Sequence, residues 1–367
     1  MRGFGVPPHP TSIARCTLVC LAAACTHDQP MSVGSYTPGG PFGSVVPLRL
    51  TYNPGEDLGP VWLPDGSGFF YTMERLDRDD KDRCLVLMPL AGGSIEREIC
   101  DRIPAADDSV DAYSTAAIAA NGGLAYVRGT ASFSAGWPVT THDQQLVVGT
   151  VADPVTVRVL LASIPYPSPS GRVHQGVAQV RWLNDTSLVY VGQQVSYPAV
   201  CMNCVLRDTL ASGLEIMQLD VGSTTAALHV LPGTNQASSV TVAGHDTLFF
   251  TINGDTRIFR YTLADSAITV VHTFGGGIAR DVQVGGGRFL AVVGGHVAFT
   301  PDSITGGVQR DSGGTIVLVD PSNGNETPLA AGSLFRHPAL APDGKHIVAE
   351  SYVGGSRSTD LWLLETP

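Results

Sequence analysis

Hydrophobic strands separated by polar turns recur along the chain. Asp, Asn and Gly in the turns supply the positive φ angles that tight hairpin connections require. A recurrence of roughly 40 to 60 residues predicts a repeat architecture. The turns lie at residues 64–66, 120–122, 184–185, 244–246, 285–287 and 342–344.

Each turn is followed by two apolar segments of strand length. The strands directly behind the turns read GFFYT, GLAYVRG, SLVYVG, TLFFTI, RFLAVVG and HIVAESY. The third strands read CLVLMPL, QLVVGTV, LEIMQLDV, RIFRYTL, TIVLVDP and DLWLLE. Fourth strands follow in five units, as IEREIC, VTVRVLL, AALHVL, ITVVHTF and NETPLAA.

The sixth unit lacks a fourth strand, and an unassigned strand, VPLRLTY at residues 46–52, precedes the first unit. Pairing this strand with DLWLLE closes a ring and removes the open edge of the last sheet. The pattern therefore predicts an all-β fold, a six-bladed β-propeller closed by an N-terminal strand pairing with the C-terminal blade. Two packed sandwiches are the alternative, but they give no reason for the lone N-terminal strand.

Composition agrees with many short strands. Hydrophobic residues make up 43% of the 367 residues and charged residues 15%, with 42 Gly and 25 Pro. The hydrophobic share suffices for a core without metals or disulfides. The formal net charge of -11 opposes binding to phosphate backbones, so we expect no nucleic-acid partner.

The first 24 residues have the pattern of an export signal. Arg2 and Arg15 precede an apolar run too short to span a membrane. The run ends in Leu-Ala-Ala-Ala-Cys25, which resembles a bacterial lipobox, and this resemblance implies a lipidated Cys25. Ordinary secretory cleavage after the Ala-rich stretch is the rival interpretation, because the Leu lies one position further from the cysteine than in the commonest lipobox.

Residues 25–43 are rich in Gly, Pro and Ser and are predicted to form a flexible tether ahead of a propeller domain at 44–367. Thr26, where some lipoproteins carry Asp, implies sorting to the outer membrane by the lipobox resemblance. No second apolar stretch of about 18 residues or more occurs. We expect a cell-envelope lipoprotein that faces the periplasm or the exterior and contacts the membrane through its lipid anchor only.

Four cysteines remain after residue 25, in keeping with an oxidising compartment. We expect a disulfide between Cys84 and Cys100 on adjacent strands and another between Cys201 and Cys204 within a loop. The Cys-x-x-Cys spacing of the second pair also fits zinc or redox chemistry, but no second such pair accompanies it.

Two units resemble the TolB-like propeller repeat, a WD-type repeat. Residues 60–72 and 337–365 contain a proline, an apolar strand and Pro-Asp-Gly, and the second ends in the Asp-Leu-Trp third strand. Residues 182–190 are a degenerate third copy. The resemblance implies the propeller architecture over about residues 43–367, without the N-terminal domain of TolB.

Catalytic motifs are absent from the sequence. There is no G-x-S-x-G, Walker, dinucleotide-binding or H-E-x-x-H motif, so we predict no catalytic residues, no cofactor and no metal site. The innermost strands are expected to place polar side chains in the central channel, where hydration alone explains them. These are Gln179, Arg181, Thr241, Asp281, Gln283, His174 and His337.

Long connections between second and third strands gather on one face of a propeller, and binding residues concentrate on such loops. They are predicted at about 73–81, 129–142, 193–212, 295–312 and 353–358. Their apolar residues Phe133, Trp137, Tyr197 and Met202 are candidate binding anchors, or they pack against neighbouring loops.

The function favoured by these features is a non-catalytic, monomeric binding platform for an envelope protein or cell-wall glycan. A metal-assisted lyase or hydrolase acting at the channel mouth is the alternative.

Overall fold

The computed structural model is an all-β ring of six blades. It describes residues 46–75, 83–90, 95–100, 109–132, 140–162, 173–196, 210–211, 214–222, 228–295, 297–300, 308–311, 313–330, 333–352 and 358–367. Within these ranges there is no helix, and hence none that could cross a membrane. The predicted fold class is therefore confirmed.

The first strand, β1 (Leu48–Arg49), belongs to the last blade. Blade 1 contains β2 (Asp57–Trp62), β3 (Gly68–Glu74), β4 (Arg83–Pro89) and β5 (Arg97–Ile99). Blade 2 contains β6 (Ser109–Ile118), β7 (Gly123–Ser132), β8 (Thr140–Thr150) and β9 (Arg158–Ala162). Blade 3 contains β10 (Val173–Asn184), β11 (Ser187–Ser196), β13 (Glu215–Asp220) and β14 (Leu228–Val230), with β12 (Leu210–Ala211) paired to β11.

Blades 4 to 6 complete the ring. Blade 4 contains β15 (Ala237–Val242), β16 (Thr247–Ile252), β17 (Arg257–Thr262) and β18 (Ala267–Thr273). Blade 5 contains β19 (Ala279–Gly285), β20 (Arg288–Val293), β23 (Thr315–Val319) and β24 (Glu326–Pro328), with a separate hairpin of β21 (Val297–Thr300) and β22 (Val308–Asp311). Blade 6 contains β25 (Arg336–Leu340), β26 (His346–Tyr352) and β27 (Thr359–Glu365).

Ring closure occurs as the sequence predicts. Leu48 pairs with Leu363 in the antiparallel β1–β27 ladder, and the Leu50 amide donates to the Leu361 carbonyl at 2.8 Å. On the next residue, the Thr51 hydroxyl accepts a hydrogen bond from the Leu361 amide at 2.9 Å. The N-terminal strand thus supplies the outermost strand of blade 6.

The core lies between the blades, where the apolar faces of neighbouring sheets meet. At the junction of blades 6 and 1, Trp62 and Phe69 pack against Val348, and all three are buried. The indole of Trp62 donates to the Ala339 carbonyl at 2.9 Å. Burial of such side chains stabilises the fold by roughly 1.5–3 kcal/mol each, so the inter-blade cores hold the ring together.

Blades 2 and 3 carry much longer strands than blade 4. β10 has 12 residues and β7 has 10, whereas β15 has 6. Parts of the segments predicted as loops are therefore strand: β7 continues to Ser132 and β8 starts at Thr140. The ladder hydrogen bonds therefore continue further than the sequence predicts, and residues 133–139 of this connection lie outside the described residues.

A disulfide links Cys84 on β4 to Cys100, which follows the paired strand β5. The two Cα atoms lie 4.9 Å apart. This is the first of the two predicted pairs. Cys201 and Cys204 lie outside the described residues, as do residues 1–45 with Cys25 and the tether.

Candidate functional site

A cavity of about 590 Å³ occupies the channel mouth. Its lining includes Glu56 and Leu58 at the start of β2, and Arg280 and Arg336 at the starts of β19 and β25. Since second strands run antiparallel to the innermost strands, they end on this same face. The cavity therefore opens on the face from which the second-to-third strand connections emerge.

Every innermost strand contains a register shift against its neighbour. In four blades the shift includes a residue with a left-handed backbone: Gly59 (φ 59°), Gln179 (50°), Asp281 (50°) and His337 (44°). Residues other than Gly rarely adopt this conformation. Strained residues of this kind concentrate at functional sites. A bulge redirects side chains, and all four residues line the cavity.

Gln179 connects three blades through its amide group. Its Nε2 donates to Oδ1 of Asp281 on blade 5 at 2.9 Å. Its Oε1 accepts from the Val240 amide of blade 4, which lies between them, at 3.2 Å. Both ends of this side chain are therefore fixed.

The chain of hydrogen bonds continues through blades 5, 6 and 1. Oδ2 of Asp281 accepts from the His337 amide at 3.1 Å, and Nδ1 of His337 lies 3.0 Å from Oε1 of Glu350. The Gly59 amide donates to the same Glu350 oxygen at 2.6 Å. We call Gln179, Asp281, His337, Glu350 and Gly59 the channel belt; with Val240 it joins five of the six blades.

The belt is charged at neutral pH. Burial disfavours the charge on Glu350, but His337 and Arg336 outweigh it and lower the pKa of this carboxyl. Burial likewise opposes protonation of His337, yet Glu350 and Asp281 raise its pKa to about 9. The imidazole is 47% exposed to the channel, and Arg336 Nε pairs with Glu350 Oε2 at 2.7 Å.

Two further arginines of the cavity face carboxylates. Arg83 contacts Glu56 at 3.1 Å, and Arg280 contacts Asp311 at 2.5 Å. Burial raises the pKa of Asp311, but Arg280 outweighs it, so that this pKa lies below its usual value. Asp311 is therefore ionised at neutral pH and engaged by Arg280.

Arg181 differs from the other arginines of the cavity. Its Nη1 donates to the Val180 carbonyl at 2.8 Å, and it forms no ion pair with a carboxylate in the described part of the chain. Burial lowers the pKa of Arg181 to about 10, with Asp281 opposing the shift, so the guanidinium stays protonated at pH 7.

A second polar cluster lies at the ring closure. Asp57 is buried, and Nδ2 of Asn53 donates to its Oδ1 at 3.1 Å. Burial raises the pKa of Asp57 to about 7; hydrogen bonds from Thr51 and Asn53 lower it, and the charges of Asp360 and Glu350 raise it. Asp57 and Asp360 lie on strands of adjacent blades, and Arg49 forms an ion pair with Asp360.

Five of the seven channel residues predicted from the sequence line the cavity: Gln179, Arg181, Asp281, Gln283 and His337. Thr241 is buried and is not part of the lining, and the side chain of His174 is outside the described residues. Hydration alone does not account for the belt, because its members bind one another. The candidate anchors Phe133, Trp137, Tyr197 and Met202 also lie outside the described residues.

Sequence reasoning missed Glu350, Arg336, Arg280 and Asp311. Glu350 had a readable signal, since it interrupts the apolar strand HIVAESY of blade 6. Burying a carboxylate there requires a cationic partner. The partners come from another strand, so the network itself had no signature along the sequence.

Metal-ligand geometry is found at one place in the described ranges. Cys84, Glu98 and Cys100 bring their ligand atoms within 4.8 Å of one another. The two sulfur atoms are joined in a disulfide and so are not thiolate ligands. This cluster does not fit a metal ion.

No protein-family model matches the sequence, and no curated protein matches it. Solved structures do match. A gluconolactonase, XC5397 from Xanthomonas campestris, superposes with a TM-score of 0.52 at 12% identity over 93% of this chain and 95% of that one. The structure of U3-55K gives 0.52 at 9% identity over 89% of this chain and 100% of that one.

TolB from Acinetobacter baumannii also matches, with a TM-score of 0.46 and 14% identity over 85% of this chain. The chain covers 64% of the length of that TolB structure. At these identities the likeness extends to architecture and not to activity. The strand order identifies the chain as a six-bladed β-propeller, and the matches with TM-scores above 0.5 share its fold.

Proposed function

We propose that this propeller is a non-catalytic binding platform of the bacterial cell envelope, which takes a protein or cell-wall glycan partner at its channel mouth. The supporting observation is the channel belt: mutually bonded side chains and backbone amides from five blades, with Asp281 and Glu350 buried, line a cavity on the face of the extended hairpins. Preformed concave sites with a few fixed polar groups are typical binding sites.

The charged groups of the cavity favour binding over acid–base catalysis. A general base is most effective with a pKa near the working pH and a free site for the proton. Glu350 and Asp311 have lowered pKa values and face arginines. His337 has its pKa raised to about 9 by the carboxylates near it.

A metal-assisted lyase or hydrolase is the alternative, and the match to a gluconolactonase supports it only in that an enzyme has a similar fold. Metal analysis of purified protein separates the two. A stoichiometric metal that survives dialysis would favour the metal-assisted enzyme and contradict the binding platform.

The platform is tested by capture with matched bulky substitutions on opposite faces. Ala178 is exposed in the cavity lining, and His245 is exposed in the turn between β15 and β16 on the other face. Ala178→Trp should reduce capture of solubilised envelope proteins or sonicated peptidoglycan, whereas His245→Trp should leave it unchanged. Equal capture by both variants, or no capture by the wild-type protein, contradicts the proposal.

The candidate anchors are tested separately, because they are known only from the sequence. Replacing Trp137 and Tyr197 together by Ala should abolish capture while the melting temperature stays unchanged. Unaltered capture removes these two residues from the proposed binding surface and leaves the cavity.

The envelope location rests on residues 1–25. We propose that Cys25 is lipidated and holds the protein at the membrane. Cys25→Ala should release the protein into the soluble fraction of fractionated cells. Continued membrane retention of that variant would show that another feature attaches it.

A further inference from the structure

One cation in the channel cavity lacks an ionic partner in the described part of the chain. Arg83, Arg280 and Arg336 each face a carboxylate at 3.1 Å or less, and Arg181 faces none. Arg181 is partly buried, and withdrawing a guanidinium from water without an anion is unfavourable, so its unpaired charge favours a ligand that supplies an anion.

Asp281 is the acidic residue whose charge acts on Arg181, but both of its carboxylate oxygens already accept hydrogen bonds from other residues. Its Oδ1 accepts from Gln179 and its Oδ2 from the His337 amide. These bonds orient the carboxylate along the belt. Asp281 reduces the cost of burying Arg181 but forms no ion pair with it.

Gln283 on blade 5 occupies the position equivalent to Arg181 on blade 3, directly after the bulge of the innermost strand. Gln179 and Asp281 touch through their side chains, and Arg181 and Gln283 each follow two residues later on strands β10 and β19. Both line the cavity, and the Gln283 amide has no hydrogen-bond partner among the described residues. A cation and a free amide donor therefore line one layer beside the belt.

We propose that Arg181 and Gln283 bind a single carboxylate carried on a small apolar group, such as the end of a short peptide. The inference rests on the proposed binding function, because it uses the same mouth. The planar guanidinium matches a carboxylate with two parallel hydrogen bonds. Gln283 can donate to the ligand beside it.

The rest of the lining selects the size and charge of the ligand. Ala116, Ala178, Pro338 and Leu58 present small or apolar surface for the substituent. The other arginines of the lining are paired with carboxylates, so Arg181 supplies one uncompensated positive charge, and a monoanion balances it better than a doubly charged phosphate. A cavity of about 590 Å³ holds a few residues of peptide.

Calorimetric titration of the full chain with N-acetyl-alanyl-alanine tests the site. Its carboxamide has the same shape without the charge and is the control ligand. We expect saturable binding of the acid and no binding of the amide. Using the L,L and D,D forms separates a protein C-terminus from a cell-wall stem peptide as the source. Equal binding of acid and amide, or no saturation by either acid, overturns the proposal.

A matched pair of variants tests the residue. Arg181→Gln should weaken binding of the acid about tenfold or more. Arg260→Gln makes the same change at an exposed position of β17 and should bind as the wild type does. Equal affinity of the two variants overturns the assignment to Arg181.

The peptide titration tests the carboxylate site and the capture experiment tests the platform, so a failure of one proposal can be distinguished from a failure of the other. If Ala178→Trp reduces capture while neither peptide acid binds, the carboxylate site is wrong and the platform stands. If Arg181→Gln does not fold, the acid-against-amide comparison on the wild-type protein still decides the proposal.

Discussion

Gln179 and Asp281 lie on blades 3 and 5, 102 positions apart in sequence, yet Nε2 of the first donates to Oδ1 of the second at 2.9 Å. The contact passes the innermost strand of blade 4, which binds the same Gln179 side chain through the Val240 amide. A single side chain thus fixes the spacing of three blades.

Gln179→Met should destabilise the protein by about 1–3 kcal/mol, because it leaves a carboxylate oxygen and a backbone amide without their partner. Gln283→Met makes the same change in the same cavity at an amide without a described partner, and should cost less. Urea unfolding measures both. Equal losses would show that the Gln179 bonds contribute no net stability.

The His337–Glu350 pair should make the free energy of unfolding fall as the pH becomes alkaline. The pKa of His337 is raised from 6.5 to about 9. The contribution of protonated His337 to the free energy of unfolding is therefore complete below pH 6.5 and is lost as the pH rises through 9. Glu350, Asp281 and Arg336 are the charged groups that act on the imidazole.

The matching variant is Glu350→Gln, which should bring the pKa of His337 down. The imidazole signal in an NMR titration reports this pKa, and the spectrum of His337→Gln assigns the signal. An unchanged pKa in Glu350→Gln would contradict the pairing. His337→Gln should also flatten the stability curve between pH 6.5 and 9.

Asp57 differs from His337 in that the folded protein favours its neutral form rather than its charged form. Its pKa is raised from 3.8 to about 7, so its contribution is complete below pH 3.8 and declines as the pH rises through 7. Asp57→Asn should therefore be more stable than the wild type at pH 8. Thermal unfolding across this range is the measurement, with Asp185→Asn in an exposed turn as the control. A less stable Asp57→Asn protein at pH 8 would show that the charge is needed.

The ring closure can be tested at one backbone amide. Leu50→Pro removes the donor to the Leu361 carbonyl and should cost about 1–3 kcal/mol. Val46→Pro introduces the same residue where the side chain is 77% exposed, just ahead of β1, and should have little effect. Chemical unfolding compares the two. Equal stability of the variants would show that the β1–β27 ladder is dispensable.

Local patterns were sufficient for the architecture. Hairpin turns and alternating strands are encoded by neighbouring residues, and the surplus N-terminal strand indicated the closure with Leu363. The channel belt was not encoded in this way. Gln179, Asp281 and His337 adopt left-handed backbone conformations that their residue types do not predict. Their hydrogen-bond partners lie largely on other blades.

The sequence predicted which polar residues line the channel but assigned them to hydration, and it placed the binding anchors on loops that lie outside the described residues. Polar residues on the innermost strands indicated the lining, but the ion pairs of Arg280 and Arg336 depend on which strands the ring brings together. The extended hairpins of blades 2 and 3 were predicted as loops because their polar and small residues lack an apolar alternation.

The channel belt also constrains how this chain can change over evolutionary time. Repeated units usually tolerate substitution one at a time, since each contacts only its neighbours. Here residues of separate repeats share one network, so the energetic effects of changes at Gln179 and His337 should not add. The five repeats that share this network are therefore expected to diverge together, whereas blade 2, which contributes no member of the belt, is free of that constraint.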